Sequence, residues 1–244
     1  RLLLQGLRLL GRSIVAISVV MPIVAMLIVS VLDLRHAVEI VLVALAIAPI
    51  PPLLPGKEGR AGGNTAYGVV LMAIMALLAI VIVPMSAHLI GWVFHQPFAM
   101  PPSDIARTVL VMVLLPLVLG MSVRKLMPGV ANRIARPLSM LATGLLLLAV
   151  LAVLPAALPA MWKLVGEGTL LALAAFVLVG LSVGHVLGGP VASERTVLAL
   201  STASRHPAIA LAIAKANFPD EPLLAATVVL YLLVATLIVL PYVM

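Results

Sequence analysis

The chain contains no cysteine, and only 9% of its 244 residues are charged. The first absence excludes a disulfide framework, thiol chemistry and any Cys-based metal site. The second excludes a water-soluble domain, in which about a quarter of the residues carry charge and about half are apolar. Here 64% are hydrophobic. There is no glycine-rich phosphate loop, so nothing supports an ATP-driven pump, and no Ser/His/Asp or HExxH constellation supports an enzyme. His88, His95 and His185 are scattered without paired spacing, which argues against a metal site. The apolar residues do not alternate with period two, so an outer-membrane barrel is set aside. What remains is an all-α integral membrane protein whose first partner is the lipid bilayer.

Eight apolar segments near the ~20 residues of a spanning helix are read at roughly 12–32, 36–62, 65–90, 104–126, 134–155, 166–187, 191–217 and 221–243. The second and seventh are interrupted. Short connections with turn residues separate the segments, such as "LDLRH", "HQPFAMPPSD" and "NFPDEP". Pro22, Pro84 and Pro116 fall inside spans, where each removes a backbone donor and is expected to kink its helix. The net charge of +7 does not point to nucleic acid, because the basic residues sit singly between spans. If each segment crosses once, Arg1, Arg8, Arg12, Lys57, Arg60, Arg124, Lys125, Arg133, Arg136 and Arg195 share one side, and Arg35, Arg107, Lys163 and Lys215 the other. The richer side is expected to be cytoplasmic, which puts Met244 there too. The expected location is the bacterial inner membrane.

The two interrupted segments carry the most information. In "HAVEIVLVALAIAPIPPLLPGKEGRAGG", Pro49, Pro51, Pro52 and Pro55 follow one another too closely for a continuous helix. In "LALSTASRHPAIALAIAKANF", the chain breaks at Ser204-Arg205-His206-Pro207, and Pro207 cannot donate to the carbonyl of Ala203. Non-helical backbone at bilayer depth is tolerated only where it is buried in protein or lines a cavity. Secondary transporters place such breaks at corresponding positions of two inverted halves, around a substrate site near the midplane. Each break here is followed by one further span. Three complete spans precede the second break and only one precedes the first. The expectation is therefore that residues 1–97 form the C-terminal part of a first inverted repeat and 98–244 a complete second repeat. On that reading two earlier spans, roughly 50–60 residues, belong before Arg1.

With "ASRHPAIALAIAKANFPD" and "APIPPLLPGKEGRAGGNTAYGVVL", each followed by a span, the chain resembles the bile acid:sodium symporter family. The resemblance implies ten helices in two inverted repeats, with the fourth and ninth broken and crossing, and a core domain beside a flatter panel domain. It implies alternating-access transport of a small organic anion, a bile acid or another organic acid. The family's sodium ligands do not carry over. Sodium-coupled members have a Glu in the ninth helix and Gln-Asn starting four residues later. Ungapped matching puts Ser201, Arg205 and His206 at these positions, and Leu54 and Pro55 where the first crossing would have Ser-Asn. A hard cation needs oxygen ligands, so sodium coupling is doubtful and no cofactor is expected. Arg205 is read as a fixed positive charge in place of the ion. It would satisfy carbonyls released by the break and offer a fork to a substrate carboxylate. Proton coupling through His206 is the alternative drive.

The substrate-binding candidates are thus Arg205, His206, Ser201, Thr202, Ser204, Lys57 and Glu58. Each has a plainer alternative. Arg205 would cap the carbonyls of its own half-helix, and His206 would be a satisfied core imidazole. Ser201, Thr202 and Ser204 would bond back to the carbonyl four residues earlier. Lys57, Glu58 and Arg60 would form a solvated loop rather than a vestibule that steers anions. Asn64 and Thr65 are expected to cap a helix, and Met72, Met75 and Met112 to pack. Two other functions stay open: a ligand sensor built on the transporter fold, and a sodium/proton antiporter relative. Against the latter, Asp104, Glu167 and Glu194 all sit at span ends.

Overall fold

The computed structural model describes residues 2–94 and 101–243; Arg1, His95 and Met244 lie outside them. Helix α1 (Leu2–Val15) runs through a π-helical stretch, Ala16–Val20, into α2 (Met21–Val31). The first broken span is α3 (His36–Ile47) and α4 (Leu54–Arg60), followed by α5 (Thr65–Phe94). Helix α6 (Pro102–Val109) passes through a second π stretch, Leu110–Leu114, into α7 (Leu115–Leu126), and α8 is Pro128–Leu164. Then come α9 (Thr169–Leu187), the second broken span as α10 (Ala192–Ala203) and α11 (Pro207–Asn217), and α12 (Leu224–Val243). Among the described residues, six helical stretches are long and apolar enough to cross a membrane, and His36–Ile47 is a shorter apolar helix.

The expected segments are all found as helix, with two differences of local cause. Pro22 and Pro116 each lie two residues past a π stretch, whose widened turn accommodates a ring that would clash in an α register. Pro55 does not break a helix but lies in the first turn of α4, where a missing N–H costs nothing. The break proper is therefore residues 48–53, with Pro49, Pro51 and Pro52 inside it.

Two ends of the bundle can be told apart by contacts. At one, Arg35 makes a two-pronged ion pair with Glu167, with both N···O distances 2.9 Å, and the His36 and Phe218 rings meet edge to face. At the other, the Asn64 amide donates to Ser193 O, and the ideal Cβ of Gly189 lies 3.9 Å from Arg12. These groupings match the sides assigned from charge.

The buried core is built mainly from α2–α5 and α9–α12, joined by Ile105 and Val109 of α6 and by Met161 and Leu164 of α8. All of α3 from Ile40 to Ile47 is buried, as befits a half-helix surrounded by protein. Helix α7 has no buried residue and, with α8, turns leucines such as Leu119, Leu126, Leu141 and Leu148 outward, an apolar surface suited to lipid. Met72 and Met75 pack in the core, whereas Met112 is exposed on the π stretch before α7. The tightest helix pair is α9 against α10. Gly180, Gly184 and Gly188 lie along one face of α9, against the backbone of Ala203, Leu198–Ala199 and Arg195. Small residues at this spacing let two backbones approach closely in a membrane.

Candidate functional site at the crossing of the broken spans

Three prolines leave three carbonyls without their helical donors, and the rest of the site follows from what replaces those donors. In a helix, the N–H of residue 52 would bond Ala48 O, and that of residue 207 would bond Ala203 O. Pro52 and Pro207 have no N–H. In the first π stretch Met21 N donates to Ala16 O, so in the same register Ile17 O would look to residue 22, which is also proline. Buried carbonyls must find partners. Arg205, only 2% exposed, donates from Nη2 to Ile17 O at 3.1 Å and from Nη1 to Ala48 O at 3.4 Å. The hydroxyl of the buried Tyr231 donates to Ala203 O and accepts from Arg205 N, both at 3.1 Å. The His206 amide donates to Pro49 O at 2.9 Å. The two breaks therefore meet: Arg205 and His206 join their backbones, and Tyr231 bridges the second break.

Arg205 caps the half-helix α3 of the other broken span, not the end of α10 that precedes it in sequence. Its Nε has no partner, one of three such buried side-chain atoms among the described residues, and no carboxylate pairs with it there. The guanidinium lines a narrow cleft of about 10 Å³, room for about one water, walled by Ile17, Ser18, Ala46–Pro49, Met75, Ala79, Ile82 and Ser86. The arrangement is a buried, hydrogen-bonded cation at the wall of a mostly apolar cleft.

The other candidates separate. His206 is buried and caps α11, its Nδ1 accepting from the Ile209 amide at 3.4 Å. Thr202 bonds back to Leu198 O at 2.7 Å. Ser204 sits half-buried in the break. Lys57 and Arg60 are exposed, but Glu58 between them is 0% exposed, facing inward where a solvated vestibule was expected. The reason is helical: residues 57 and 58 differ by ~100° around α4, and Gly68 on α5 leaves the space Glu58 fills. Ser201 Oγ donates to Glu58 Oε1 at 2.6 Å, and Oε2 has no partner. Asn64 accepts from the Tyr67 amide at 3.2 Å, as a capping residue does.

Tyr231, Ser18, Ser86 and the carbonyl of Ile17 were not read from the sequence. The only signal for Ile17 was Pro22 five residues on. Tyr231→Phe removes both hydroxyl bonds in a dry setting, so stability is expected to fall by about 1–2 kcal/mol. A thermal unfolding midpoint unchanged in detergent would show that Ala203 O finds another donor.

A search of curated proteins finds no match. The residue pattern of the Sodium Bile acid symporter family matches residues 2–163, which takes in the first broken span and ends before the second. An all-helical membrane bundle with this match over more than half its length belongs to that family of membrane transporters.

Proposed function

We propose that the protein is a secondary transporter for a small organic anion, working by alternating access without sodium. Arg205 carries this reading: a buried cation with no carboxylate partner among the described residues, on the wall of a cleft where two broken spans cross. An intramembrane arginine is expensive, and it marks a substrate pathway more often than a structural need. Its guanidinium, with Ser18 and Ser86 lining the same cleft, offers donors to an organic acid whose apolar part meets Ile17, Met75 and Ile82. Lys57 and Arg60, exposed at one end of the crossing, favour the approach of an anion.

On this reading the chain forms two inverted halves, 1–97 and 98–244, each contributing one broken span. The basic end and the C-terminus face the cytoplasm of a bacterial inner membrane. The test is uptake of a radiolabelled panel of organic acids, bile acids included, into liposomes containing the purified protein, with and without an inward sodium gradient. Accumulation of at least one acid, indifferent to sodium, is expected. Sodium-dependent uptake would refute the sodium-free mechanism. Saturable binding without uptake would favour a ligand sensor.

A further inference from the structure

Two charged residues are buried at the crossing, and the reading above uses only Arg205. The other, Glu58, is 0% exposed, with Oε1 held by Ser201 and Oε2 wedged against α5. A Cβ on Gly68 would overlap Oε2, so the carboxyl fills its space. Among the described residues Glu58 has no salt bridge and Oε2 no donor. An ionised carboxylate there would bury a charge with one hydrogen bond, an arrangement proteins avoid by neutralising the group. No cluster of three metal-ligating side chains surrounds it, among the described residues, to hold a cation instead.

Among the described residues, the neighbouring elements supply no compensating charge. On α4 itself, Lys57 and Arg60 point to solvent. From α5, Tyr67 is within electrostatic reach, but its hydroxyl is engaged with Ser13 at 2.6 Å. From α10, Glu194 is of like charge and Arg195 Nε donates to Gly189 O. From α12, Tyr231 is committed to Ala203 and Arg205.

Ser201, which holds Glu58, lies in the last turn of α10, and Arg205 follows it by four residues, in the break beyond Ala203. The carboxyl and the guanidinium are thus attached to the same strip of chain.

We propose that Glu58 is a proton-binding site linked to the anion cleft. It carries a proton on Oε2 while an anion sits beside Arg205 and gives it up when the anion leaves. In the release step the Oε2–H bond breaks, its electron pair stays on the oxygen, and the proton passes to water admitted when α4 moves off α5 and α10. Loading reverses this. The physical link is repulsion: a charged Glu58 disfavours a second negative charge at the crossing, and a neutral one does not. At an effective dielectric of ~20, like charges ~12 Å apart make this difference roughly tenfold in anion affinity. Linkage is reciprocal, so a bound anion favours the proton by the same factor. The protein is then a proton–anion symporter. The coupling half of this proposal rests on the organic-anion reading; the proton site does not.

The experiment has two arms. Infrared spectroscopy of the reconstituted protein over a pH series is expected to show a protonated-carboxyl stretching band that fades as pH rises. The band should be absent in Glu58→Gln and kept in Ser201→Ala, which leaves the carboxyl in place. A band that survives in Glu58→Gln, or is absent from the wild type at every pH, overturns the proton site. In liposomes, uptake of benzenesulfonate, which does not titrate in this range, should rise roughly tenfold with an acid exterior in the wild type and be insensitive to pH in Glu58→Gln. The same pH response in both overturns the coupling. Wild-type protein that shows the band but moves no benzenesulfonate refutes coupled transport of this probe and leaves the proton site standing. Uptake that responds to pH without the band overturns Glu58 as the carrier.

Discussion

Arg205→Gln is expected to reduce organic-anion uptake by about a hundredfold per folded molecule. Glutamine keeps a short amide donor but loses the charge and the fork. A hydrogen bond to a charged group contributes ~1.5–3 kcal/mol, so losing two from the guanidinium to an anion removes about 3 kcal/mol, or two decades of affinity. The substitution also strips donors from Ile17 O and Ala48 O, so a fall in stability accompanies the fall in uptake. Arg205→Lys separates the two roles. Lysine keeps the charge at the cleft but cannot span two carbonyls from a planar fork. Uptake should recover to within about tenfold of the wild type while thermal stability stays low, as one ammonium replaces two directed bonds. The measurement is initial uptake normalised to monodisperse protein, beside the unfolding midpoint of each variant. A folded Arg205→Gln protein that transports at the wild-type rate would reduce Arg205 to a cap on proline-freed carbonyls.

Much of this site could be read along the chain. Proline density located the first break and the Ser-Arg-His-Pro run the second, and the deleted donor at Pro207 named Ala203 O as a carbonyl in need of a partner. The partner itself was not legible, because Tyr231 is 28 residues away and its role depends on α12 passing the break. The same limit applies to Arg205. An arginine in an apolar run announces a buried charge, but whether it caps its own half-helix or the one it crosses depends on how two distant spans pack. Glu58 was misplaced because it lies between Lys57 and Arg60, and three charges together read as a solvated vestibule or loop. A seven-residue helix with one buried face is too short to show periodicity, and the space beneath Glu58 is set by Gly68, a residue with no signal of its own. The prolines in α2 and α7 were visible, but the π stretches before them were not, because a kink and a widened turn solve the same missing donor.

Gly184→Leu is expected to abolish the folded state rather than tune it. An ideal Cβ at Gly184 lies 2.3 Å from Leu198 O and 2.5 Å from the Ala199 Cα, and both are backbone atoms of α10 that no rotamer change can move. Overpacking a core commonly costs ~1–3 kcal/mol when side chains can adjust; here two helices must separate. The consequence reaches the site, since α10 carries Ser201 and leads into Arg205. Shifting it away from α9 draws Ser201 off Glu58 and the guanidinium off Ile17 and Ala48. Even Gly184→Ala should destabilise, although alanine is the better helix former by about 1 kcal/mol, because its methyl group is already in the forbidden space. Gly120 on α7 is the control, with nothing within 4 Å of its ideal Cβ. Gly120→Leu should give wild-type yield, and Gly120→Ala unchanged or slightly higher stability. The readout is the monodisperse fraction on size-exclusion chromatography in detergent, followed by thermal unfolding. Gly184→Leu protein that is as monodisperse and stable as Gly120→Leu would mean that α9 and α10 do not touch at their backbones, and the crossing would then have to be held by the bonds of Arg205, His206 and Tyr231 alone.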